Sequence, residues 1–324
     1  MLKPSEFAPR TAAALARVLS ATFPPEYVTV IQGESDTAQA LLRERFDAIF
    51  FTGSTAVGRA VMTAAARHLT PVTLELGGKC PCIVCSDAPL ELAARRIAWG
   101  KFMNAGQTCV APDFVLVEET VRAPLIEALT RAVREFYGAD PQQSPSYGRI
   151  INRRHWDRLA AYLKEGQIAY GGGGDAGDLY LAPTLLTGVA PNSPVMKEEI
   201  FGPILPVVGF AALDEVVALL SGQPIPLALY LFTRDRAVQA RVLAETRSGG
   251  VCLNDTVTHM VGHDLPFGGQ GDSGLGAYHG RASFDAFSHR RSVLDRSLRI
   301  DLPFRYPPPR VSLATLKRAF RFLG

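Results

Sequence analysis

Short apolar segments alternate with helix-like segments over most of the chain, and this alternation constrains the fold more than any other feature. Each apolar segment is only a few residues long, which is typical of buried strands. Segments with the composition of helices follow at 55–69 and 88–103. Strands that alternate with helices at this spacing predict an α/β fold with a largely parallel sheet. The clearest strand-like segments are DAIFFTGS (47–54), PVTLELGG (71–78), PCIVC (81–85) and DFVLVEE (113–119).

Further elements are predicted on either side of these segments. Pro4, with Ser5 and Glu6 after it, is a suitable helix start, and an Ala/Leu-rich helix is expected to continue to about Leu19. The segment VTVIQG (28–33) predicts a short strand. A chain of 324 residues is long enough for two domains. Other helices are expected at 36–45, 121–136 and 153–164, and the alternation continues to GGVCLND (249–255).

Charge, cysteine content and hydropathy exclude several classes of protein. A formal net charge of +3 is too small to indicate a nucleic acid partner. The chain has five cysteines, and an odd number in a chain of this size favours reduced thiols and a cytoplasmic location over a disulfide framework. No uninterrupted apolar run reaches about 18 residues, so no segment of this sequence is predicted to span a membrane.

The first candidate site is a strand-to-helix turn in FFTGSTAVG (50–58). Thr52, Gly53, Ser54 and Gly58 place small residues where a helix begins, and the free N–H groups at such a helix start can bind a pyrophosphate. The spacing differs from the G-x-G-x-x-G fingerprint. A turn without a ligand therefore remains the alternative from the residues alone.

Two further candidates carry reactive side chains. Glu75 lies between leucines at a strand end, where a poorly solvated carboxylate is a candidate general base. An exposed edge glutamate, or one paired with a lysine, is the alternative. Cys109 follows Gly106 in NAGQTC (104–109), where nearby backbone amides would stabilise a thiolate nucleophile. A packed core thiol and a papain-type pair with one of the six histidines are its alternatives.

The remaining cysteines and histidines do not predict a metal site. Cys80, Cys82 and Cys85 alternate along a strand-like segment instead of following the turn-like spacing of zinc ligands. His259 and His263 are four residues apart, but Gly262 and the loop-like composition around it disfavour the helix that such a pair needs. We expect structural cysteines and no bound metal.

Six motifs, taken together and in this order, resemble the aldehyde dehydrogenase superfamily. They are LKPSE (2–6), FFTGS with VG (50–58), LELGGK (74–79), NAGQTC (104–109), EEIFGP (198–203) and PFGGQGDSGLG (266–276). The segments TPVTLELGGK, IFGPILP and YHGRASFDAFSH are most similar to class 3, which includes fatty aldehyde dehydrogenases. The resemblance implies an aldehyde dehydrogenase-like α/β fold with three parts. These are a partial Rossmann-type NAD-binding domain (1–76), a catalytic domain (77–264) and a C-terminal bridging and oligomerisation segment with a tail (265–324).

The resemblance also implies a role for each motif. Cys109 matches the nucleophile that forms a thiohemiacetal and then a thioester, and Glu75 matches the base that activates the hydrolytic water. Three groups of residues match positions that bind the cofactor: Lys3 and Glu6 match those at the adenosine ribose, Thr52, Gly53, Ser54 and Gly58 those at the pyrophosphate, and Glu199 and Phe201 those at the nicotinamide ribose. Asn104 and Gln107 match residues that support the nucleophile loop. The charge of Glu6 disfavours a 2′-phosphate, so NAD is expected, although the class 3 resemblance also allows NADP.

Partners follow from the same resemblance. It implies a homodimer, with a β-like stretch at 285–300 pairing with a second subunit, and an aldehyde substrate. An apolar tunnel is expected from Phe102, Met103, Val110 and Met260. In the tail, Leu313, Leu316, Phe320 and Leu323 share one helical face, which favours docking on protein over peripheral membrane contact.

One family feature has no match in this sequence. The family's Pro-Trp-Asn loop, whose asparagine donates to the oxyanion, is not found here, and losing one such donor costs on the order of 100- to 1,000-fold in rate. Met1-Leu2-Lys3 begins in mid-strand, so we expect a fragment of a longer chain. A truncated, non-catalytic binding module of the same fold is the alternative, and a thioesterase that uses Cys109 and Glu75 is another.

Overall fold

The computed structural model describes residues 1–301, 306–308 and 311–323. Two compact units are present, one spanning Met1–Phe287 and one beginning at Ser288. Residues 302–305, 309–310 and 324 of the predicted C-terminal segment, and the side chain of Leu323, lie outside the described residues.

Some of the helices begin at a residue whose side chain caps them. Asn152 and Asp235 each accept a hydrogen bond from a backbone N–H in the first turn that follows, which satisfies a donor that the helix leaves free. The helices are α1 (Pro9–Thr22), α2 (Ser35–Leu41), α3 (Thr55–Ala66), α4 (Leu90–Phe102), α5 (Arg122–Tyr137), α6 (Arg153–Tyr162), α7 (Pro194–Lys197), α8 (Leu213–Ser221), α9 (Arg236–Glu245), α10 (Gly280–Ala286) and α11 (Leu313–Leu323).

The strands are short, as the apolar segments predict. They are β1 (Ile49–Thr52), β2 (Val72–Glu75), β3 (Pro81–Val84), β4 (Phe114–Glu118), β5 (Gln167–Tyr170), β6 (Gly174–Asp175), β7 (Tyr180–Leu181), β8 (Thr184–Thr187), β9 (Ile204–Phe210), β10 (Ala228–Phe232), β11 (Gly250–Leu253) and β12 (Gly274–Leu275).

A seven-stranded sheet forms the larger core, in the order β11-β10-β3-β4-β9-β8-β5. Its neighbours run parallel except at the edge, where β5 is antiparallel to β8. A parallel sheet is covered on both faces, and β3 and β10 are accordingly buried at every residue. The predicted largely parallel α/β fold is confirmed.

Helices α4 and α5 pack against each other in this core. The buried residues of α5 include Leu125, Ala128, Leu129 and Ala132, which recur at the three- and four-residue spacing of a helix with one apolar face. Helix α4 buries Ala93, Ala94, Ile97, Ala98 and Phe102 and, among them, Lys101. A buried charge in an apolar helix face requires a compensating partner.

A second, three-stranded sheet has the order β1-β2-β12. Strands β1 and β2 are parallel, and β12 adds to β2 in antiparallel orientation. Only five residues, 76–80, separate the end of β2 from the start of β3. The last residues of the small sheet therefore lie next to the first residues of the large one.

Three expectations about secondary structure are wrong. Helix α1 begins at Pro9 rather than Pro4. The segment 28–33 forms a single bridge between Val30 and Leu2 instead of a strand. The stretch 285–300 contains the end of α10 and no strand. Helix α11 confirms the predicted helix of the tail, and no helix among the described residues combines the length and apolar character needed to cross a bilayer.

Candidate active site

The Cys109 loop is held by its own backbone and by Gln107. Asn104, Ala105 and Gly106 all have positive φ angles (53°, 52° and 75°), and a side chain at Gly106 would overlap the carbonyl oxygen of Gly202. Gln107 donates to the carbonyl oxygens of Asn104 and Arg149 at 3.1 and 2.9 Å. The loop is thereby fixed on one side to the segment before β9 and on the other to residue 149.

Asn104 contributes to this loop without reaching the thiol through a hydrogen bond. Its side chain is exposed, and Nδ2 donates to the carbonyl oxygen of Gln107 at 3.0 Å. The positive φ of Asn104 suits asparagine better than most residues. The structure thus gives Asn104 a part in shaping the turn that carries Cys109.

Glu75 is the last residue of β2 and is only 5% exposed. Its Oε2 accepts hydrogen bonds from the hydroxyl groups of Thr52, at 3.0 Å, and Tyr278, at 3.3 Å. Its Oε1 is buried and has no hydrogen-bond partner among the described residues. One carboxylate oxygen is therefore anchored while the other is free to accept a proton.

Glu75 and Cys109 face each other. Burial and then the Glu75 carboxylate raise the pKa of the Cys109 thiol above its ordinary value, with smaller effects from Cys80 and Glu199. The expectation of a stabilised thiolate is wrong, since two carboxylates beside a half-buried thiol disfavour its negative charge. A thiol in this setting needs an adjacent proton acceptor before it can attack a substrate.

A histidine does not take the role of that acceptor. All six histidines lie in the described part of the chain, and none of them forms a hydrogen bond with Cys109 there. The carbonyl oxygen of Cys109 instead accepts from the buried Cys80 thiol at 3.5 Å. The geometry gives no support to the papain-type alternative.

Glu199 approaches the same region from the segment before β9. A side chain at Gly77 would overlap the Glu199 carboxylate, so this close contact requires glycine there. Burial and then the charge of Asp113 raise the pKa of Glu199 to about 8, while the Gly78 amide, Arg158 and Lys101 act in the opposite direction. Phe201 has a positive φ of 46°, a strained conformation that the surrounding loop must impose.

Behind Cys109 and Glu199 lies a cluster of buried charges. Lys79 Nζ lies 2.5 Å from Asp113 Oδ2 and donates to the carbonyl oxygen of Glu198 at 3.2 Å. Asp113 Oδ1 accepts from the backbone N–H of Ile200 at 3.1 Å and lies 3.9 Å from Lys101 Nζ. Asp113 thus joins the start of β4 to the segment that carries Glu199.

The predicted pyrophosphate turn is built as a helix start. Ser54 caps α3 by accepting from the backbone N–H of Val57 at 3.4 Å. A side chain at Gly58 would overlap Leu76, and one at Gly53 would overlap the Phe51 ring. Thr52, however, donates to Glu75. The turn therefore has the small residues and free helix start that suit a dinucleotide, and one of its residues also supports the base.

Lys3 and Glu6 lie apart from this turn and pair with each other at 3.1 Å. Hydrogen bonds of the Glu6 carboxylate to its own backbone and to Lys3 lower the pKa of Glu6. The carboxylate is therefore ionised and partly exposed, as an acceptor for ribose hydroxyl groups has to be. The donor and acceptor groups present fit a nicotinamide dinucleotide.

The position of the site relative to the sheets differs from the usual arrangement. Ligands of open α/β sheets bind at the carboxyl ends of the strands, and Thr52 and Glu75 do end β1 and β2. Cys109 and Glu199 instead precede β4 and β9, at the amino edge of the larger sheet. The site lies where the carboxyl edge of one sheet meets the amino edge of the other.

Predicted tunnel residues divide into two groups. Phe102 and Val110 are at most 1% exposed and belong to the core, so the prediction that they line a tunnel is wrong. Met103 and Met260 are half-buried. Tyr278, whose hydroxyl group reaches Glu75, packs edge-on against the rings of Phe50, Phe267 and His279.

The remaining cysteines lie in the core. Cys80, Cys82 and Cys85 are free and buried, and no group of three or more His, Cys, Asp or Glu residues in the described ranges is arranged to hold a metal ion.

Four functional candidates were missed by sequence reasoning. Tyr278 and Lys79 lie inside recognised motifs but received no role. Lys101 and Asp113 carried a signal in their local sequence, since each is a lone charge among apolar residues, in IAWGKFM (97–103) and PDFVLV (112–117). Such isolated charges are rarely buried without a partner.

Comparisons with known proteins agree with this geometry. A sequence profile of the aldehyde dehydrogenase family matches residues 1–293. The dimeric NADP-preferring aldehyde dehydrogenase of Mus musculus is 50% identical over 310 residues, which cover 95% of this chain and 68% of the mouse protein. The 4,4'-diaponeurosporen-aldehyde dehydrogenase of Staphylococcus aureus is 46% identical, over 99% of this chain and 70% of its own length.

A solved structure gives the same result at the level of the fold. The substrate-bound state of Staphylococcus aureus AldH superposes with a TM-score of 0.94 at 46% identity, covering 98% of this chain and 70% of that one. Nearly all of the present chain is matched, and it is shorter than the proteins that it matches.

Proposed function

Since the chain belongs to the aldehyde dehydrogenase family, we propose that it oxidises an aldehyde to a carboxylic acid through a covalent intermediate on Cys109. The observation that carries this proposal is the position of Glu75, whose carboxylate is anchored through Oε2, has no hydrogen-bond partner for Oε1 among the described residues, and acts on the Cys109 thiol. A half-buried nucleophile and a buried proton acceptor are thereby paired without a histidine.

The first step is the formation of a carbon–sulfur bond. Glu75 accepts the thiol proton of Cys109, and the thiolate attacks the carbonyl carbon to give a thiohemiacetal. The backbone N–H of Cys109 donates to no group in the described part of the chain, so it is available to the oxyanion. Glu75 then releases the proton to solvent.

A bound nicotinamide dinucleotide would supply the hydride acceptor that the thiohemiacetal needs in order to become a thioester. The chain's own residues complete the reaction. Glu75 removes a proton from a water molecule, the resulting hydroxide attacks the thioester, and the carbon–sulfur bond breaks to release the acid. Thr52 and Tyr278 keep Oε2 fixed, so that the same oxygen, Oε1, serves both proton transfers.

For the cofactor we propose NAD, with NADP accepted. Ser54, Gly53 and the start of α3 would hold the pyrophosphate, Lys3 and Glu6 the adenosine ribose, and Glu199 with Phe201 the nicotinamide ribose. The ionised Glu6 disfavours a 2′-phosphate by charge, whereas the name of the mouse relative, NADP-preferring, supports the second dinucleotide. Calorimetric titration with each dinucleotide compares them directly.

Several broader expectations are proposals of the same kind. A homodimer is supported by the word dimeric in the name of the mouse relative. An apolar aldehyde is supported by the aromatic rings around Tyr278. Five free thiols support a reducing, cytoplasmic setting. The division at residues 76 and 264 into cofactor-binding, catalytic and bridging parts stays a prediction.

The experiment uses intact mass together with NADH absorbance. The chain is mixed with octanal and NAD, and turnover should produce NADH. In the wild-type chain, quenched with acid during turnover, Cys109 should carry an octanoyl group and the mass should rise accordingly. Glu75→Gln lacks the proton acceptor of both steps and should form far less NADH and no adduct, and Cys109→Ser, a close steric match with a far weaker nucleophile, should show neither product. Absence of both NADH and the adduct in the wild-type chain would contradict the proposal and favour a non-catalytic binding module.

A thioesterase is distinguished in the same assay. It would hydrolyse an octanoyl thioester equally well with and without NAD, and octanal would give no NADH.

A further inference from the structure

Arg158, in the middle of α6, directs its guanidinium group at the backbone of the segment that carries Glu199. Its Nη1 donates to the carbonyl oxygen of Glu199 at 3.1 Å, and its Nη2 donates to the carbonyl oxygen of Ile200 at 2.6 Å. The guanidinium presents its donors in a rigid, planar fork. A fork that bonds to two successive carbonyl oxygens fixes the orientation of both peptide groups.

Two further charged side chains hold the same short segment. Lys79 Nζ donates to the carbonyl oxygen of Glu198 at 3.2 Å, and the backbone N–H of Ile200 donates to Asp113 Oδ1 at 3.1 Å. Backbone groups of residues 198, 199 and 200 are therefore all bonded to charged side chains. Hydrogen bonds with a charged partner are roughly twice as strong as those between neutral groups, so this segment is fixed more firmly than most loops.

Phe201 shows what this fixing achieves. Its φ of 46° is a strained conformation, and such strain persists only where the surrounding structure imposes it. Arg158 holds the residue before Phe201. Leu159, the next residue of α6, lies so close to Gly202 that a side chain at 202 would overlap it. Helix α6 therefore contacts the chain on both sides of Phe201.

The segment 198–202 in turn contacts the two loops that carry the proposed chemistry. The Gly202 carbonyl oxygen lies where a side chain at Gly106 would be, in the Cys109 loop. The Glu199 carboxylate lies where a side chain at Gly77 would be, two residues after Glu75. A displacement of this segment would therefore change its contacts with both loops.

We propose that Arg158 is a positioning residue for Glu199 and Phe201, and that it fixes the segment on which these two side chains would meet the nicotinamide ribose. The link to a ribose rests on the proposed function. The hold of Arg158 on the segment rests on its hydrogen bonds to the two carbonyl oxygens. Its loss should weaken binding of the nicotinamide half of the cofactor and spare the adenosine half, for which Lys3 and Glu6 are proposed.

Calorimetric titration of Arg158→Lys tests this selectivity. Lysine keeps the positive charge, but its single ammonium group lacks the fork that spans two carbonyl oxygens. Dissociation of NAD should become about tenfold easier, the size expected when one hydrogen bond with a charged partner is lost. The affinity for ADP, which has no nicotinamide ribose, should stay at the wild-type value.

Arg153→Lys is the matched control, because Arg153 lies on the same helix, is exposed and pairs with Asp157 at 2.7 Å. It should leave the affinity for both ligands unchanged. An unchanged affinity for NAD in Arg158→Lys, an equal loss for NAD and ADP, or an equal loss in Arg153→Lys would each overturn the proposal.

Tyr162→Phe is a second, milder variant that decides the question where Arg158→Lys does not fold. The Tyr162 hydroxyl accepts from Arg158 Nη1 at 3.1 Å and donates to Glu198 Oε2 at 2.6 Å. Its removal leaves the guanidinium without lateral support, so the loss of NAD affinity should have the same selectivity over ADP and be smaller. A loss shared equally by both ligands, or no loss at all, would contradict the positioning role.

Hydrogen–deuterium exchange of the free protein separates this inference from the proposed function. Peptides that cover 198–202 should exchange about tenfold faster in Arg158→Lys, because the segment opens more readily, and at the wild-type rate in Arg153→Lys. A wild-type chain that binds neither NAD nor ADP would contradict the proposed cofactor. Exchange would then still decide whether Arg158 holds the segment, and an unchanged rate in Arg158→Lys would overturn that hold.

Discussion

Asp113→Asn is expected to destabilise the protein strongly, because Asp113 is the hydrogen-bonded anion of the buried charge cluster. Asparagine keeps the shape of the side chain and an oxygen that can accept from the Ile200 N–H, so the change removes mainly the charge. Lys79 at 2.5 Å and Lys101 at 3.9 Å are left as two buried cations. Breaking a buried ion pair on one side costs about 3–5 kcal/mol, a large part of the roughly 5–15 kcal/mol that stabilises a typical protein.

Urea unfolding followed by tryptophan fluorescence measures this loss, with Trp99 and Trp156 as probes. The midpoint should fall while the slope of the free energy of unfolding against urea stays the same. Adding Lys101→Met to Asp113→Asn should restore part of the stability, since one of the two uncompensated cations is then gone. The exposed pair of Arg153 and Asp157, 2.7 Å apart, supplies the control, and Asp157→Asn should cost less than about 1 kcal/mol.

The pH dependence of this variant has a defined sign. Lys101 has its pKa lowered from 10.5 to about 8 in the folded protein, so over that interval the unfolded chain binds more protons than the folded one. Stability therefore gains from Lys101 as the pH rises through this window in both proteins. In Asp113→Asn the Lys101 pKa is lower still, because Asp113 no longer raises it, so the deficit of the variant should shrink as the pH rises toward about 8. A loss below about 1 kcal/mol at neutral pH, the size typical of a surface pair, would refute the reasoning.

Three further substitutions test the site. Tyr278→Phe removes a hydroxyl donor from Glu75, a hydrogen bond to a charge worth about 1.5–3 kcal/mol, so NADH formation should slow by about tenfold or more; an unchanged rate would contradict the anchoring of Oε2. Gly77→Ala should displace the Glu199 carboxylate and weaken NAD but not ADP in calorimetry, and equal effects on both would argue for a general distortion. Glu199 has its pKa raised from 4.5 to about 8, so its protonated form stabilises the fold at low pH and this contribution is lost as pH rises through 8. The urea midpoint of Glu199→Gln should lack that decline, and parallel pH curves for variant and wild type would contradict the shift.

Local patterns were sufficient for most of the fold. The apolar segments at 47–54, 71–78, 81–85 and 113–119 become β1 to β4, since a short apolar run bounded by turns determines a strand without knowledge of distant residues. The start of the first helix shows the limit of such rules. Pro4 and Pro9 both suit a first helical position. The helix begins at Pro9 because the chain before it is extended, with Leu2 bridged to Val30.

The contacts that define the site are long-range and could not be predicted in this way. Tyr278 reaches Glu75 across 203 positions, and Thr52 does so across 23. Asp113 and Lys79 are 34 residues apart. The motifs named Cys109, Glu75 and Glu199 individually, but the direction in which a thiol pKa moves depends on which charges the fold brings near it. Burial and Glu75 together reversed the expectation for Cys109.

The five residues between β2 and β3 (76–80) connect the two sheets and also determine how far the Glu75 carboxylate lies from the Cys109 thiol. They lead from the proton acceptor at Glu75 to Cys80, whose thiol donates to the Cys109 carbonyl oxygen. A side chain at Gly77 would overlap the Glu199 carboxylate, and Gly78 has a φ of +150°, which other residues rarely adopt. Both ends are fixed in sheets, so a residue inserted in this linker could not be absorbed by a flexible loop. It would shift one sheet edge against the other and change the separation between Oε1 and the thiol. The length of this segment therefore has to stay constant wherever the chemistry is retained, even where its sequence varies.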